Sequence, residues 1–272
     1  MNKRNRIITM IDFSEGSENL VEFTLKLASK INAKLVFIHQ IAGMVPALAD
    51  QSSKNQIHKL EIEEAIEKIK KLTGNRIHDR ESIIASPKSI PSILEELKSN
   101  HFTDWVIGGL KKNSLIKQII FGSTLVKVLE YSDLITLTIP IDKQVFIPEK
   151  LFIAVTNNYL LNELQLSTVL SGLKSSVKEV SFFTILQEDD SEENAKEYLE
   201  ELQNKYDEYN PITTILKNNN FLIESKKLIQ NTENSFLVLQ EGSRTLIDEI
   251  FRKYQTTEII HTVIIPLIIL SK

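Results

Sequence analysis

Residues 7–41 read IITMIDFSEGSENLVEFTLKLASKINAKLVFIHQI. An apolar, β-branched run from Ile7 to Ile11 precedes Leu20, Val21, Thr24, Leu27, Ala28 and Ile31, which recur at helical spacing; a second apolar run, Lys34 to Ile41, follows. Strand, helix, strand of this length predicts a βαβ unit, because parallel neighbours need a long crossover. Ser17 is placed to cap the helix, with Glu15 and Glu18 near the positive end of its dipole.

The same rhythm continues outward. A Glu- and Lys-rich helix is expected from about Ser53 to Leu72, a strand from Arg76 to Ala85, and a helix after Pro91, whose ring suits a first helical turn. Further strands are expected at Trp105 to Gly108 and Leu134 to Ile139, with a helix opening at Gly122 between them. Five strands and four crossover helices predict a doubly wound α/β fold with a parallel sheet buried on both faces.

The pattern then repeats. Ile11, Lys34 and Ile41 lie 144 residues before Val155, Lys178 and Ile185, while Gly109, Gly122 and Ile135 lie 131 residues before Gln240, Lys253 and Pro266. The second copy is therefore 13 positions shorter (144 minus 131), the loss falling after its second strand. Its expected strands are Leu151 to Val155, Val180 to Leu186, Ile212 to Leu216, Phe236 to Leu239 and Val263 to Leu270. Two domains follow, 1–142 and 149–272, joined by a short connector between Pro140 and Glu149 that favours close packing.

The chain has 272 residues, 42% hydrophobic and 25% charged, which is globular composition. It lacks cysteine, which excludes a disulfide framework and fits a reducing compartment. The N-terminal stretch reaches Asp12 and Glu15 too soon for a signal peptide, and Val263 to Leu270 is too short to span a bilayer; a soluble, cytoplasmic protein without membrane contact is expected. Residues 1–142 hold 19 Lys and Arg against 17 Asp and Glu (+2), and residues 143–272 hold 13 against 19 (−6). No basic field for nucleic acid exists, but a small anion meets a more favourable environment in the first half.

The stretch Asp104-Trp105-Val106-Ile107-Gly108-Gly109-Leu110-Lys111-Lys112, followed by nine residues and Gly122-Ser123-Thr124, carries the functional signal. A strand ending at Gly108-Gly109 lets the backbone turn close to a ligand, and a helix opening at Gly122-Ser123 offers free amides to phosphate oxygens. These residues, with Asp12 at the end of the opening strand, resemble the universal stress protein family in its tandem form. Nucleotide-binding members carry Gly, two residues, Gly, nine residues, Gly, then Ser or Thr. Here Gly109, Gly122 and Ser123 match, and Lys112 stands at the second glycine. The segments MIDFSEGSENL and SDLITLTIP resemble the family's first and last strands.

The resemblance implies two five-stranded sheets of order 3-2-1-4-5, with ATP, alone or with Mg, across the carboxyl ends of the first and fourth strands. By this resemblance Asp12 faces the adenosine portion and the backbone near Gln40 reads the adenine edge. Gly109 admits the ribose-phosphate, while Gly122, Ser123 and Thr124 hold the phosphates. A side chain at Lys112 either obstructs the approach that glycine permits or, with Lys111 and Lys117, brings an ammonium to the phosphates. The second copy has Gln240, Glu241 and Lys253 in this loop and Thr156 for the aspartate, so it is expected to bind no ATP. The resemblance also implies that the halves pair through their final strands, with a homodimer possible.

Other motifs point to packing. His39 inside an apolar strand reads as a hydrogen-bonded core or edge histidine, and His58, His78, His101 and His261 form no metal spacing. No nucleophile elbow, Walker loop or carboxylate pair occurs, so the chain is not expected to be an enzyme. The leading expectation is a stress-response regulator binding ATP or another adenine nucleotide in its first half, the second half serving packing or partner contact. The alternative is an interaction module of the same fold that binds no nucleotide.

Overall fold

A computed structural model describes residues 3–42, 50–74, 76–77, 82–113, 118–120, 127–129, 134–140, 144, 146–157, 159–186, 190–217, 228, 232–241 and 266–272. In chain order its elements are β1 (Arg4–Met10), α1 (Ser17–Ile31), β2 (Lys34–Gln40), α2 (Gln51–Leu72), β3 (Ile83–Ser86), α3 (Ile90–Leu97), β4 (Phe102–Asn113), β5 (Gln118–Ile120) and β6 (Ile135–Pro140). The second half contributes β7 (Lys150–Ala154), α4 (Glu163–Leu173), β8 (Glu179–Leu186), α5 (Glu192–Lys205), β9 (Ile212–Lys217), β10 (Ser235–Gln240) and β11 (Leu267–Leu270).

The strands form one sheet in the order β3-β2-β1-β4-β6-β11-β10-β7-β8-β9, with β5 attached to β4 alone. Among the described residues, five strands of each half follow third-second-first-fourth-fifth order and run parallel to one another, β5 standing outside this path. The halves meet where β6 and β11 run antiparallel, pairing Thr136 with Ile269 and Thr138 with Leu267. The final strands fuse the two expected five-stranded sheets into one, because each is an edge whose amides and carbonyls need partners. The antiparallel seam also reverses direction, so the carboxyl edges of the two halves point opposite ways.

The 144-residue offset carries β1 onto β7 and β2 onto β8, and the 131-residue offset carries β4 onto β10 and β6 onto β11. The missing positions fall between the second and third strands, where α2 has 22 residues and α5 has 14.

Local chemistry explains most element ends. Asp50, Ser89, Asn162 and Ser191 each cap a helix by accepting from the backbone amide three residues on. Ser17 does not cap α1. The cap position is Gly16, in a left-handed conformation (φ 86°) with no side-chain cap bond, and Ser17 is the first helical residue, buried. That turn requires positive φ, which glycine adopts without steric cost. The expected strand from Arg76 to Ala85 reduces to Ile83–Ser86, with residues 78–81 outside the described set.

One face of the sheet carries a core shared by both halves, including Phe23, Trp105, Leu137, Leu151, Phe182 and Phe236. Phe23 of α1 stacks on Phe236 of β10, centroids 5.9 Å apart. The opposite face of the first half buries Ile8, Val36, Ile38, Ile93, Leu94, Val106 and Val128. Across β1 and β4, buried Arg6 and Asp104 form a two-point ion pair, Nε–Oδ1 2.6 Å and Nη2–Oδ2 2.8 Å. No helix among the described residues is long and apolar enough to cross a membrane.

Candidate functional site

In an open parallel sheet, ligands settle at the carboxyl edge where successive connections leave in opposite directions. In the first half this place lies between β1, whose chain leaves toward β2, and β4, whose chain leaves toward β6. Pairing of β1 with β4 stops at Thr9 and Ile107, so Gly108 and Gly109 lie beyond the last β1–β4 pair. Asp12 and Gln40, both exposed, follow or close β1 and β2 at the same edge. Three of the residues singled out from sequence, Asp12, Gln40 and Gly109, thus share one end of the sheet.

β1 is finished by a set of contacts around Asp12. The Ile11 amide donates to the Ile38 carbonyl (2.9 Å), keeping the chain beside β2 for one more residue. His39 Nδ1 lies 2.7 Å from the Ile11 carbonyl, which can only accept, so this nitrogen carries the proton. Asp12 Oδ1 accepts from the Ser14 amide (3.0 Å) and the Ser14 hydroxyl (2.6 Å), closing an Asx turn. Between them Phe13 has φ 55°, the left-handed region, which for an L-residue costs about 1–2 kcal/mol. Its ring packs on His39, centroids 4.4 Å apart, and Lys68 of α2 lies 5.6 Å from its centre. The sequence reading of His39 as a hydrogen-bonded core or edge histidine matches this geometry, the residue being half-buried on an interior strand; its contact with Phe13 had no sequence signal.

The glycine loop differs from expectation. β4 does not end at Gly108-Gly109: it pairs with β6 through Gly109–Ile139 and Leu110–Pro140, then continues to Asn113. There it folds back on β5, pairing Lys111 with Ile120, Lys112 with Ile119 and Asn113 with Gln118. Lys112 therefore occupies a ladder position rather than a phosphate-hugging turn, because an L-residue with a β-compatible neighbour gains more from pairing than from a bend. Gly122, Ser123, Thr124 and Lys117 lie outside the described residues, as do the side chains of Lys111 and Lys112.

The equivalent edge of the second half is closed from within. Gln240, which stands 131 residues after Gly109, is buried, and its Oε1 accepts from the Asn162 amide (2.7 Å) while its Nε2 donates to the Ser271 carbonyl. Asn162 Nδ2 donates to the same carbonyl (3.1 Å). Gln165 donates from Nε2 to the Ser271 hydroxyl (2.7 Å) and accepts at Oε1 from the Ser271 amide (2.8 Å). This amide network ties the start of α4 to the ends of β10 and β11. The glutamine in place of glycine was visible in sequence; its partners, 78 and 31 positions away, were not. Among the described residues no group of three or more His, Asp or Glu side chains could hold a metal ion.

Comparison with known proteins follows the same division. The family model for the universal stress protein family matches residues 3–140. A search of curated proteins returns no match. Among solved structures, a universal stress protein from Archaeoglobus fulgidus superposes with a TM-score of 0.67 at 14% identity, covering 99% of each chain. A functionally unknown protein from Pseudomonas aeruginosa PAO1 superposes with a TM-score of 0.56 at 15% identity, over 98% of this chain and 92% of that one. At such identities the structural likeness shows the fold alone.

Proposed function

This chain belongs to the universal stress protein family, and from that premise we propose that it is a stress-response regulator binding ATP, or another adenine nucleotide, between β1 and β4. The observation that carries this reading is the contrast at the carboxyl edge: glycine at 109, where the second half places the buried, bonded Gln240. In this reading Asp12 faces the adenosine, the backbone at Gln40 meets the adenine, and Gly109 leaves room for the ribose-phosphate. Gly122, Ser123 and Thr124 supply phosphate donors, Lys112 a charge, and Mg accompanies the triphosphate. The second half packs against the first and presents its surface to partners, including a second copy of the chain. The role is regulatory, without catalysis, in the cytoplasm: occupancy acts by favouring one packing of the protein over another.

Melting the full chain with and without Mg-ATP tests the proposal. Ligand at about 100 times its dissociation constant adds roughly 2.7 kcal/mol of stability. A second reading, an interaction module without nucleotide, is favoured by one observation: the β4–β5 hairpin holds Lys112 in a ladder. No thermal shift with saturating ATP, ADP or AMP, together with no purine released on denaturation, selects that reading.

A further inference from the structure

His39 touches the chain on both sides of Asp12. Its Nδ1 holds the Ile11 carbonyl at 2.7 Å, and its ring packs on Phe13 at 4.4 Å. Between these two grips the Asp12 carboxylate is turned by the Ser14 amide and hydroxyl. Phe13 is the strained member: an aromatic residue held at φ 55° needs surroundings that over-determine its conformation. Those surroundings are the His39 ring, the Lys68 ammonium from α2, and the shared core on which Phe13 packs. Without them the chain after β1 has no reason to adopt this turn, since serine at 14 offers a bond that many other turns satisfy. The second half places Thr156 and Phe183 at the positions of Asp12 and His39, so neither the carboxylate nor the ring nitrogen is present there.

We infer that His39 and Phe13 form a clasp that preorganises the Asp12 carboxylate at the mouth of the β1–β4 crevice, making both positioning residues for its ligand. The part of this inference that concerns the ligand rests on the nucleotide reading above; the clasp itself does not. Preorganisation favours binding by removing the ordering that the ligand would otherwise have to impose. His39 thereby sets affinity without touching the ligand.

The test uses the full chain and two readouts, hydrogen exchange at the Ser14 amide and Mg-ATP titration. His39→Leu keeps bulk but removes the donor, and should lower Ser14 protection roughly fivefold, the effect of one lost hydrogen bond. His39→Asn places an amide donor where Nδ1 stood and should recover most of that protection, which a merely space-filling role would not do. Phe13→Gly removes the ring while easing the backbone, and should also lower Ser14 protection; it carries the test should His39→Leu not fold. Mg-ATP affinity should fall in His39→Leu and Phe13→Gly and return in His39→Asn. Unchanged Ser14 protection in folded His39→Leu or in Phe13→Gly overturns the clasp. A wild-type chain indifferent to Mg-ATP removes the nucleotide reading, while the exchange data still decide the clasp.

Discussion

The carboxyl edges of β1 and β4 in the first half, and of β7 and β10 in the second, are the same place in one repeated unit, finished in two ways. In the first half the backbone is shaped by a strained turn at Phe13 and a side-chain-free position at Gly109. In the second, Gln240, Asn162, Gln165 and Ser271 bond to one another across the edge. Stability and openness have been divided between the copies. The first half compensates elsewhere: Arg6 and Asp104 clamp β1 to β4, where the second has Lys150 and Ser235, and Lys150 instead pairs with Glu179 on β8. In the second half Gln240, Asn162, Gln165 and Ser271 satisfy one another, whereas the first half has no side chain at 109 to make the equivalent bonds.

The largest expected effect breaks the clamp. Asp104→Ala strands the buried Arg6 guanidinium and should cost about 3–5 kcal/mol in urea unfolding. Ser235→Ala, at the equivalent place, loses the bond to the Thr232 carbonyl (3.0 Å) and should cost about 1 kcal/mol. Equal losses would deny that the halves are held differently.

Exchanging the edge residues sharpens the comparison next. Gly109→Gln places the second half's side chain in the first crevice, and should abolish the roughly 2.7 kcal/mol gained from excess Mg-ATP while leaving the unliganded melt nearly unchanged. Gln240→Ala should lower stability by about 1–3 kcal/mol, because the half-buried Asn162 amide and the buried Ser271 carbonyl each lose a partner. A Gln240→Ala protein as stable as wild type would show that the network does not hold the second edge.

A smaller effect is expected where the halves touch. A Cβ on Gly172 of α4 would lie 3.5 Å from the Trp105 ring and 3.6 Å from Ile31, ordinary contact distances. Gly172→Ala should therefore raise stability by up to about 1 kcal/mol through helix propensity, measured by thermal melting. Gly172→Phe should lower it by forcing α4 from Trp105; the same sign for both would reject this packing.

The smallest concerns alkaline pH. Burial, helped by the charges of Glu163 and Glu201, pushes the Tyr198 phenol up to about 12, and burial likewise raises Tyr206 and Tyr209, all three in the second half. A raised folded-state value favours the neutral form, so its contribution is intact below pH 10, the ordinary value, and is lost as pH rises toward 12. Unfolding midpoints should decline across that window, less steeply in Tyr198→Phe. An identical decline in the variant would assign it to other groups.

Much of this was legible in the residues. The continuous apolar runs and helical-period patterns placed β1, α1, β2, α3 and most strands of the second half within a few residues, because a sheet buried on both faces reads as an unbroken apolar run and a helix buried on one face as a period of about 3.6 residues. The offsets of 144 and 131 located the repeat and its shortening. Less legible were features that depend on distant partners. Ser17 has the chemistry of a cap, yet Gly16 supplies the left-handed turn and leaves Ser17 buried. Gly108 and Gly109 suggested a strand end, yet β6 and β5 offer ladder partners that carry β4 to Asn113.

Sequence alone determined the α/β class, the duplication, the positions of Asp12 and Gln40 at the ends of the first two strands, and the replacement of Gly109 by Gln240, since each follows from local pattern or comparison of the two copies. Only tertiary structure decided that β6 and β11 pair antiparallel within one continuous sheet, that Gln240 is bonded to Asn162 and Ser271, and that His39 grips Ile11 and Phe13. Hydrogen bonds and ring contacts between residues tens of positions apart leave no periodic trace along the chain, and their geometry exists once packing has fixed every backbone involved.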